Sequence, residues 1–202
     1  MRRGRARSVR EFNLIVVIRS GSVRTRIHIF GASGSGTSAV GRAIADEYGF
    51  KHFEVDDFFW EATDPPYQHE RERSQRQRLL IEALSSTPQW VLVGSLAGWG
   101  DIAIDLFELA VFVETPTAIR LDRLRAREAR RFGERLLETG DMYQQYRDFM
   151  TWASRYDDGP IDMRSRRLHE EWLSRLPCPV VRVDGSGSVE AVCAQLSATI
   201  AA

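Results

Sequence analysis

The sequence predicts an α/β fold, a parallel sheet of five short strands covered by helices on both faces. Three observations carry that expectation. Apolar runs of strand length recur at residues 27–30, 50–55, 90–93, 109–113 and 180–183. Stretches with helical spacing lie between them, and such alternation produces parallel sheets buried on both sides. The first strand–helix junction is a glycine-rich loop, Gly31-Ala32-Ser33-Gly34-Ser35-Gly36-Thr37-Ser38. In parallel sheets, ligands bind beyond the carboxyl ends of the strands, and that loop lies at this edge.

The elements follow in order. A first helix is expected over residues 37–48, where Val40, Ala43 and Ile44 share a face and Gly49 is a natural stop. The second strand, 50–55, ends in Asp56-Asp57. Asp64-Pro65-Pro66 breaks the chain, because the residue before each proline is pushed to extended geometry. A polar helix is expected over 69–84, with Leu79, Leu80, Ala83 and Leu84 as its apolar part. The third strand, 90–93, runs into Gly94-Ser95. After the fourth, Thr115 or Thr117 is placed to cap an arginine-rich helix from about Ala118. Further helices are expected from Asp141 and up to about Leu176, then the fifth strand, the turn Asp184-Gly185-Ser186-Gly187, and a last helix from Val189.

Composition bounds the function. At 202 residues and 23.0 kDa the chain suits one domain, here residues 24–202, with a lid over about 118–160. Its net charge of zero hides a split, because residues 1–26 carry eight arginines against Glu11 alone, leaving the rest at −7. An acidic body argues against nucleic-acid binding by the core. The apolar run at 14–18 is too short for a secretory segment or a membrane span. Residues 1–23 read either as an arm touching nucleic acid or membrane, or as a loosely ordered extension with Val23 as an alternative start. Cys178 and Cys193 have no metal-ligand or C-x-x-C spacing and read as free thiols of a reducing cytoplasm.

The glycine loop has the spacing of a phosphate-binding P-loop, G-x-x-x-x-G-K-[ST], with one departure. Successive backbone N–H groups there point at one anion, and the helix N-terminus adds partial positive charge. Thr37 stands where the lysine belongs. Of 28 basic residues only Lys51 is lysine, a bias that favours arginine at position 37 rather than threonine.

Two further groups converge on the same edge. A carboxylate of Asp56 or Asp57 would take a proton from a substrate hydroxyl or hold magnesium on phosphates. The alternative is a polar strand end with Asp57 capping the next turn. Phe58, Phe59 and Trp60 line a substrate slot or belong to the core. Arg120, Arg123, Arg127 and Arg130 or Arg131 share a helix face whose mutual repulsion a polyphosphate would relieve, unless solvent does. Arg71, Arg73, Arg76 and Arg78, interleaved with glutamates and glutamines, read as a solvated face. His28 reads as a satisfied core residue, and the four histidines show no zinc spacing. Gly34-x-Gly36-x-x-Ala39 also fits a dinucleotide fingerprint, but it begins three residues late after the strand.

Taken together, G-x-S-G-S-G-T-S, V-D-D-F-F-W, D-P-P, W-V-L-x-G-S-L-x-G-W-G-D and R-L-x-R-L-R-A-R-E resemble a group of bacterial P-loop proteins. These are usually labelled adenylate-kinase-like or AAA-family ATPases, and the resemblance spans about residues 24–200. More distantly, the layout is similar to nucleoside-monophosphate kinases, shikimate kinase and nucleoside kinases. The resemblance implies a three-layer P-loop NTPase fold with strand order 2-3-1-4-5 and an arginine-rich lid helix closing over ATP. It implies ATP on Gly31 to Ser38, Mg²⁺ on Ser38 and Asp57, and Asp56 or Asp57 acting on a small-molecule acceptor. Arg123, Arg127 and Arg131 would then steady the transferring phosphoryl group. Besides Thr37, the chain departs from the wider group at Gly94-Ser95, where no Walker-B aspartate follows the strand. The departures bear on rate more than on binding. A nucleotide-binding sensor without turnover is the competing class.

Overall fold

A computed structural model of the chain describes residues 23–201. The strands are β1 (Arg26–Gly31), β2 (Lys51–Glu54), β3 (Trp90–Val93), β4 (Leu109–Glu114) and β5 (Val180–Asp184). The helices are α1 (Thr37–Tyr48), α2 (Val55–Phe59), α3 (Arg73–Ser85), α4 (Thr117–Phe132), α5 (Tyr143–Ser154), α6 (Arg166–Leu173) and α7 (Val189–Ile200). All strand pairs are parallel, and the sheet order is β2-β3-β1-β4-β5. In the dinucleotide-binding order β2 adjoins β1, whereas here β3 separates them, so the dinucleotide alternative fails on topology.

Both faces of the sheet are covered. On one, Ile27, Ile29, Val91, Val93 and Val111 pack with Val40 and Ile44 of α1 and Leu196 of α7. On the other, Phe30, Leu92 and Phe112 pack with Leu80 of α3 and Trp172 of α6. Alternate residues of β1, β3 and β4 therefore serve opposite cores, which is why these central strands read as mostly apolar runs. Gly41 lets α1 lie close, because a Cβ there would come within 2.2 Å of Val93 Cγ2.

Several boundaries differ from the sequence expectation for physical reasons. β2 stops at Glu54, and Asp56-Asp57 form the first turn of α2, where carboxylates favour the helix N-terminus. α3 begins at Arg73, four residues later than expected, with the Glu72 carboxylate accepting from the Gln75 N–H. Residues before it are instead tied back to α2, with Arg71 N–H donating to the Phe59 carbonyl and Trp60 bridging Glu70. The N-cap of α4 is Pro116 without a side-chain cap, so neither threonine caps it. Thr115 Oγ1 donates to the Ser35 carbonyl and Thr117 Oγ1 to Asp157. α5 starts at Tyr143 because Asp141 is held by Arg135, and α6 ends at Leu173. The readings of residues 1–22 lie outside the described residues. No described helix is long and apolar enough to cross a membrane.

Candidate functional site

The glycine loop is built so that only glycine fits at its tightest points. A Cβ at Gly31 would lie 2.5 Å from the Val113 carbonyl oxygen, and one at Gly34 2.6 Å from that of Arg120. Gly34 and Gly36 take φ of 82° and 99°, left-handed values that other residues rarely adopt. Ala32 and Ser35 close the turn, with Ser35 N–H donating to the Ala32 carbonyl at 3.0 Å. α1 then starts at Thr37 with no side chain capping its first turn, which leaves those N–H groups facing the loop's concavity.

Two arginines of α4 brace this loop rather than project from it. Arg120 is fully buried, and its guanidinium donates to the carbonyls of Ser33, Thr115 and Ala153 at 3.2–3.3 Å. It also reaches Thr117 Oγ1 at 2.8 Å and Asp157 at 3.4 Å. Arg123 donates to the carbonyls of Ser35, Gly185, Ser186 and Gly187, clamping the loop to the β5–α7 turn. Gly185 is required there, since a Cβ would meet Thr115 Oγ1 at 2.3 Å. The single arginine face expected from the sequence thus divides. Arg120 and Arg123 are bound to backbone, Arg130 is exposed, and Arg127 and Arg131 face a cleft.

That cleft, of about 1100 Å³, touches the loop at Ser33 and runs between α2–α3 and α4–α6. Asp56 lines it, whereas exposed Asp57 does not. Phe59 and Trp60 line it too, while Phe58 packs against Phe53. Glu128 is buried between Arg127 at 2.6 Å and Arg131 at 4.0 Å. Arg131 also donates to Tyr67 Oη at 2.8 Å. Burial works against the Arg131 charge, but Tyr67, Glu128 and Asp56 together hold its guanidinium above the ordinary range. Tyr67 itself sits at φ 64°, and Gln145 of α5 donates to the neighbouring Pro66 carbonyl at 2.9 Å. The D-P-P segment is thereby strapped across the cleft to α4 and α5.

Three parts of the site were missed or misread in the sequence. The first is Glu54. Ser38 Oγ donates to Glu54 Oε2 at 3.0 Å, so Glu54 and not Asp57 is the acid beside the loop serine. Burial pushes the Glu54 carboxyl up to about 7, against the opposing bond from Ser38. A hydroxyl and a carboxylate side by side are the hard oxygen donors that Mg²⁺ takes while keeping most of its water, so the pair fits that ion. The second is Arg76, expected on a solvated face. Its guanidinium instead lies over Phe59 at 4.1 Å and Trp99 at 5.0 Å, with Nε and Nη1 buried and not hydrogen-bonded, Nη1 lying 3.6 Å from the Glu70 carboxylate. The signal was present, since Arg76 precedes buried Leu80 and Leu84 by four and eight residues and so shares their helix face. The third is a buried chain of hydrogen bonds. Ser95 Oγ lies 2.8 Å from His169 Nε2, and Tyr156 Oη 2.8 Å from His169 Nδ1. Separations of 74 and 13 residues leave no local pattern to read.

His28 is buried as expected but only half satisfied. Nδ1 meets the Leu92 carbonyl at 3.1 Å, and Nε2 has no partner. Burial pushes both His28 and His169 down to about 3. From pH 3 to the ordinary 6.5, the unfolded chain therefore binds more protons at these two sites than the folded one. Stability from them rises with pH across that window. Glu54 acts oppositely between 4.5 and 7, where the folded state keeps the proton and stability falls as pH rises. Denaturant titrations between pH 5 and 6.5 are expected to show a steeper rise of stability with pH in Glu54→Gln than in the wild type, by one proton's worth of slope.

A glycine loop of this geometry between β1 and α1, on a parallel sheet ordered 2-3-1-4-5, defines a P-loop fold of the kinase type. Solved structures agree. The gluconokinase of Sinorhizobium meliloti 1021 superposes with TM-score 0.52 at 17% identity, over 89% of this chain and 93% of that one. Shikimate kinase from Acinetobacter baumannii gives TM-score 0.53 at 18% identity, over 88% and 93%. At such identity the likeness is one of fold. The chain belongs to the same family as YqaC, an uncharacterized protein of Bacillus subtilis (strain 168), being 40% identical over 167 residues, 83% of this chain and 92% of that protein. It is also similar to a cytidylate kinase of Desulfurococcus amylolyticus, 27% identical over 152 residues, 68% of this chain and 81% of that one. No protein-family model matches the chain.

Proposed function

We propose that the chain is an ATP-dependent phosphotransferase of adenylate-kinase-like type acting on a small molecule. The observation that carries this reading is a convergence at one sheet edge: the glycine loop, the Ser38–Glu54 pair, and a cleft holding Asp56 with Arg127 and Arg131. The backbone N–H groups from Gly31 to Ser38 would bind the ATP phosphates, with Ser33 joining them to the cleft. Ser38 and Glu54 would hold Mg²⁺, in place of the Ser38–Asp57 set that the sequence suggested. When bound, that ion neutralises charge developing on the phosphate oxygens. Asp56, facing the cleft, is placed to take the proton of an attacking acceptor hydroxyl. Arg127 and Arg131 supply the positive charge that Thr37 lacks, exchanging Glu128 and Tyr67 for phosphoryl oxygens. Arg123 acts differently from the expectation, holding the loop rather than touching the phosphoryl group.

The cleft also speaks to the acceptor. Trp60, Tyr67, Phe149 and Trp152 present aromatic surface, and Arg76 offers buried donors without hydrogen bonds, its ion pair with Glu70 being 3.6 Å long. Aromatic surface beside Arg76, Arg127 and Arg131 favours a planar, anionic acceptor such as a nucleotide over a bare polyol. Purified protein with labelled ATP, Mg²⁺ and a panel of nucleoside monophosphates, nucleosides and polyols is expected to transfer label to a nucleotide. Transfer to none, with no ATP hydrolysis, overturns the proposal.

One observation favours a second reading, a nucleotide-binding sensor. Arg120 and Arg123 are committed to carbonyls and Arg127 and Arg131 to Glu128, so turnover requires the last two to let go. Thr37→Lys separates the readings. If the arginines do the work of the lysine, hydrolysis stays within about threefold of wild type or falls. A gain of about a hundredfold, the scale of one transition-state contact, supports the sensor.

A further inference from the structure

The Ser95–His169–Tyr156 chain takes no part in the reaction outlined above, yet it ends on the cleft wall. Ser95 follows β3 immediately after Gly94; all three are buried, at 4%, 0% and 5% exposed for Ser95, His169 and Tyr156, but of the three only Ser95 lines the cleft. With its pKa pushed down by burial, the imidazole is neutral and carries one N–H. Two hydrogen bonds join three groups, and each hydroxyl also has one proton. One ring nitrogen donates and the other accepts, so one hydroxyl accepts from the ring and must send its own proton elsewhere. The Tyr156 hydroxyl has His169 as its hydrogen-bond partner among the described residues. Turning its proton away from the ring would strand a donor in the interior, which costs more than an ordinary hydrogen bond returns. Ser95, though buried, lines the cleft, where water or a ligand takes its proton at no such cost.

We infer that Tyr156 donates to His169 Nδ1, His169 Nε2–H donates to Ser95 Oγ, and Ser95 presents its hydroxyl proton to the cleft as a fixed donor for the bound small molecule. Ser95 is then a specificity-determining residue, with His169 and Tyr156 as positioning residues behind it. The acceptor must offer an oxygen or ring nitrogen with a free lone pair at this point. A molecule with an N–H or C–H there leaves the serine proton unpaired and binds worse. The identity of the bound molecule as a phosphoryl acceptor rests on the proposed function, but the direction of the hydrogen bonds does not.

The test has two arms. Nitrogen-15 spectra of histidine-labelled full-length protein are expected to show His169 with Nε2 protonated and Nδ1 unprotonated, assigned by the signal lost in His169→Gln. If that variant fails to fold, Tyr156→Phe keeps the ring and perturbs the same signal through Nδ1. A protonated Nδ1 with an unprotonated Nε2 overturns the inference outright. In the second arm, AMP and CMP are titrated into wild type and Ser95→Ala, with ATP as the control ligand. Ser95→Ala is expected to weaken the monophosphate about tenfold, and to raise its KM by the same factor, while ATP affinity and kcat stay within twofold. Equal monophosphate affinity in the two proteins overturns the contact. If wild type binds neither monophosphate but carries the Nε2 proton, the acceptor reading fails and the donor assignment stands.

Discussion

Arg131→Ala is expected to lower kcat for phosphoryl transfer by about a hundredfold or more, with ATP affinity changed far less. The reason lies in Thr37. A P-loop lysine places one positive charge between the transferring group and the leaving group, and threonine cannot. Among the arginines of α4, Arg127 and Arg131 are the ones placed in the cleft to replace it, because Arg120 and Arg123 already donate to loop and turn carbonyls. Arg131 lies in the field of Asp56, the proposed base, and spans to Tyr67 on the far wall. Its loss would remove a charge on which only the transition state depends strongly. Arg127→Ala should behave alike but less severely, since Arg127 also stacks over Phe149 and pairs with Glu128. Arg130→Ala, exposed on the same helix, is the control and is expected to leave kcat unchanged. Steady-state kinetics of the three variants decide the matter. A kcat within threefold of wild type in both Arg127→Ala and Arg131→Ala would remove the arginines from the mechanism.

Arg120→Met is expected to lower folding stability by about 3 kcal/mol, the scale for breaking a buried charged network. Methionine keeps most of the volume, so the loss reports hydrogen bonds rather than a cavity. It strips donors from the carbonyls of Ser33, Thr115 and Ala153, three points that join the phosphate loop, the end of β4 and α5. Asp157 keeps Arg166 at 3.0 Å, so no carboxylate is left unpaired. For a domain of this size the midpoint of thermal unfolding should fall by roughly 10 °C. Arg120→Lys should recover little of it, because a single ammonium cannot follow the planar fork across so many acceptors. Nucleotide affinity should fall with stability, since the Ser33 carbonyl loses its anchor. Denaturant unfolding and nucleotide titration of the same preparations measure both.

Much of the architecture was written locally. The three central strands β1, β3 and β4 appear as mostly apolar runs because both their faces are buried, and β3 has the predicted bounds. The glycine loop was legible because only glycine tolerates φ of 82° and 99° and such close backbone approaches. The first helix also has the expected ends, because Gly49 at φ 71° is a stop that sequence alone can signal. Where local preference met tertiary demand, the reading slipped. Residues 69–72 have helical spacing, but the chain there is pulled extended against α2 by the Arg71–Phe59 bond.

The site divides the same way. The sequence by itself determined that a glycine loop with phosphate-binding spacing would join β1 to α1, and that acids and arginines would gather at that edge, because strand order and loop spacing carry them there. Only the tertiary structure decided which of them do what. Glu54 rather than Asp57 meets Ser38, because β2 ends one residue before α2 begins and the last strand side chain points at the loop. Arg120 turns inward and Arg131 outward because eleven positions of α4 take the helix from the sheet edge to the cleft mouth. Ser95, His169 and Tyr156 meet only through packing of α6 on the sheet. Hydrogen bonds between residues so far apart in the chain leave no periodicity, and burial of a polar group becomes visible only once its surroundings exist.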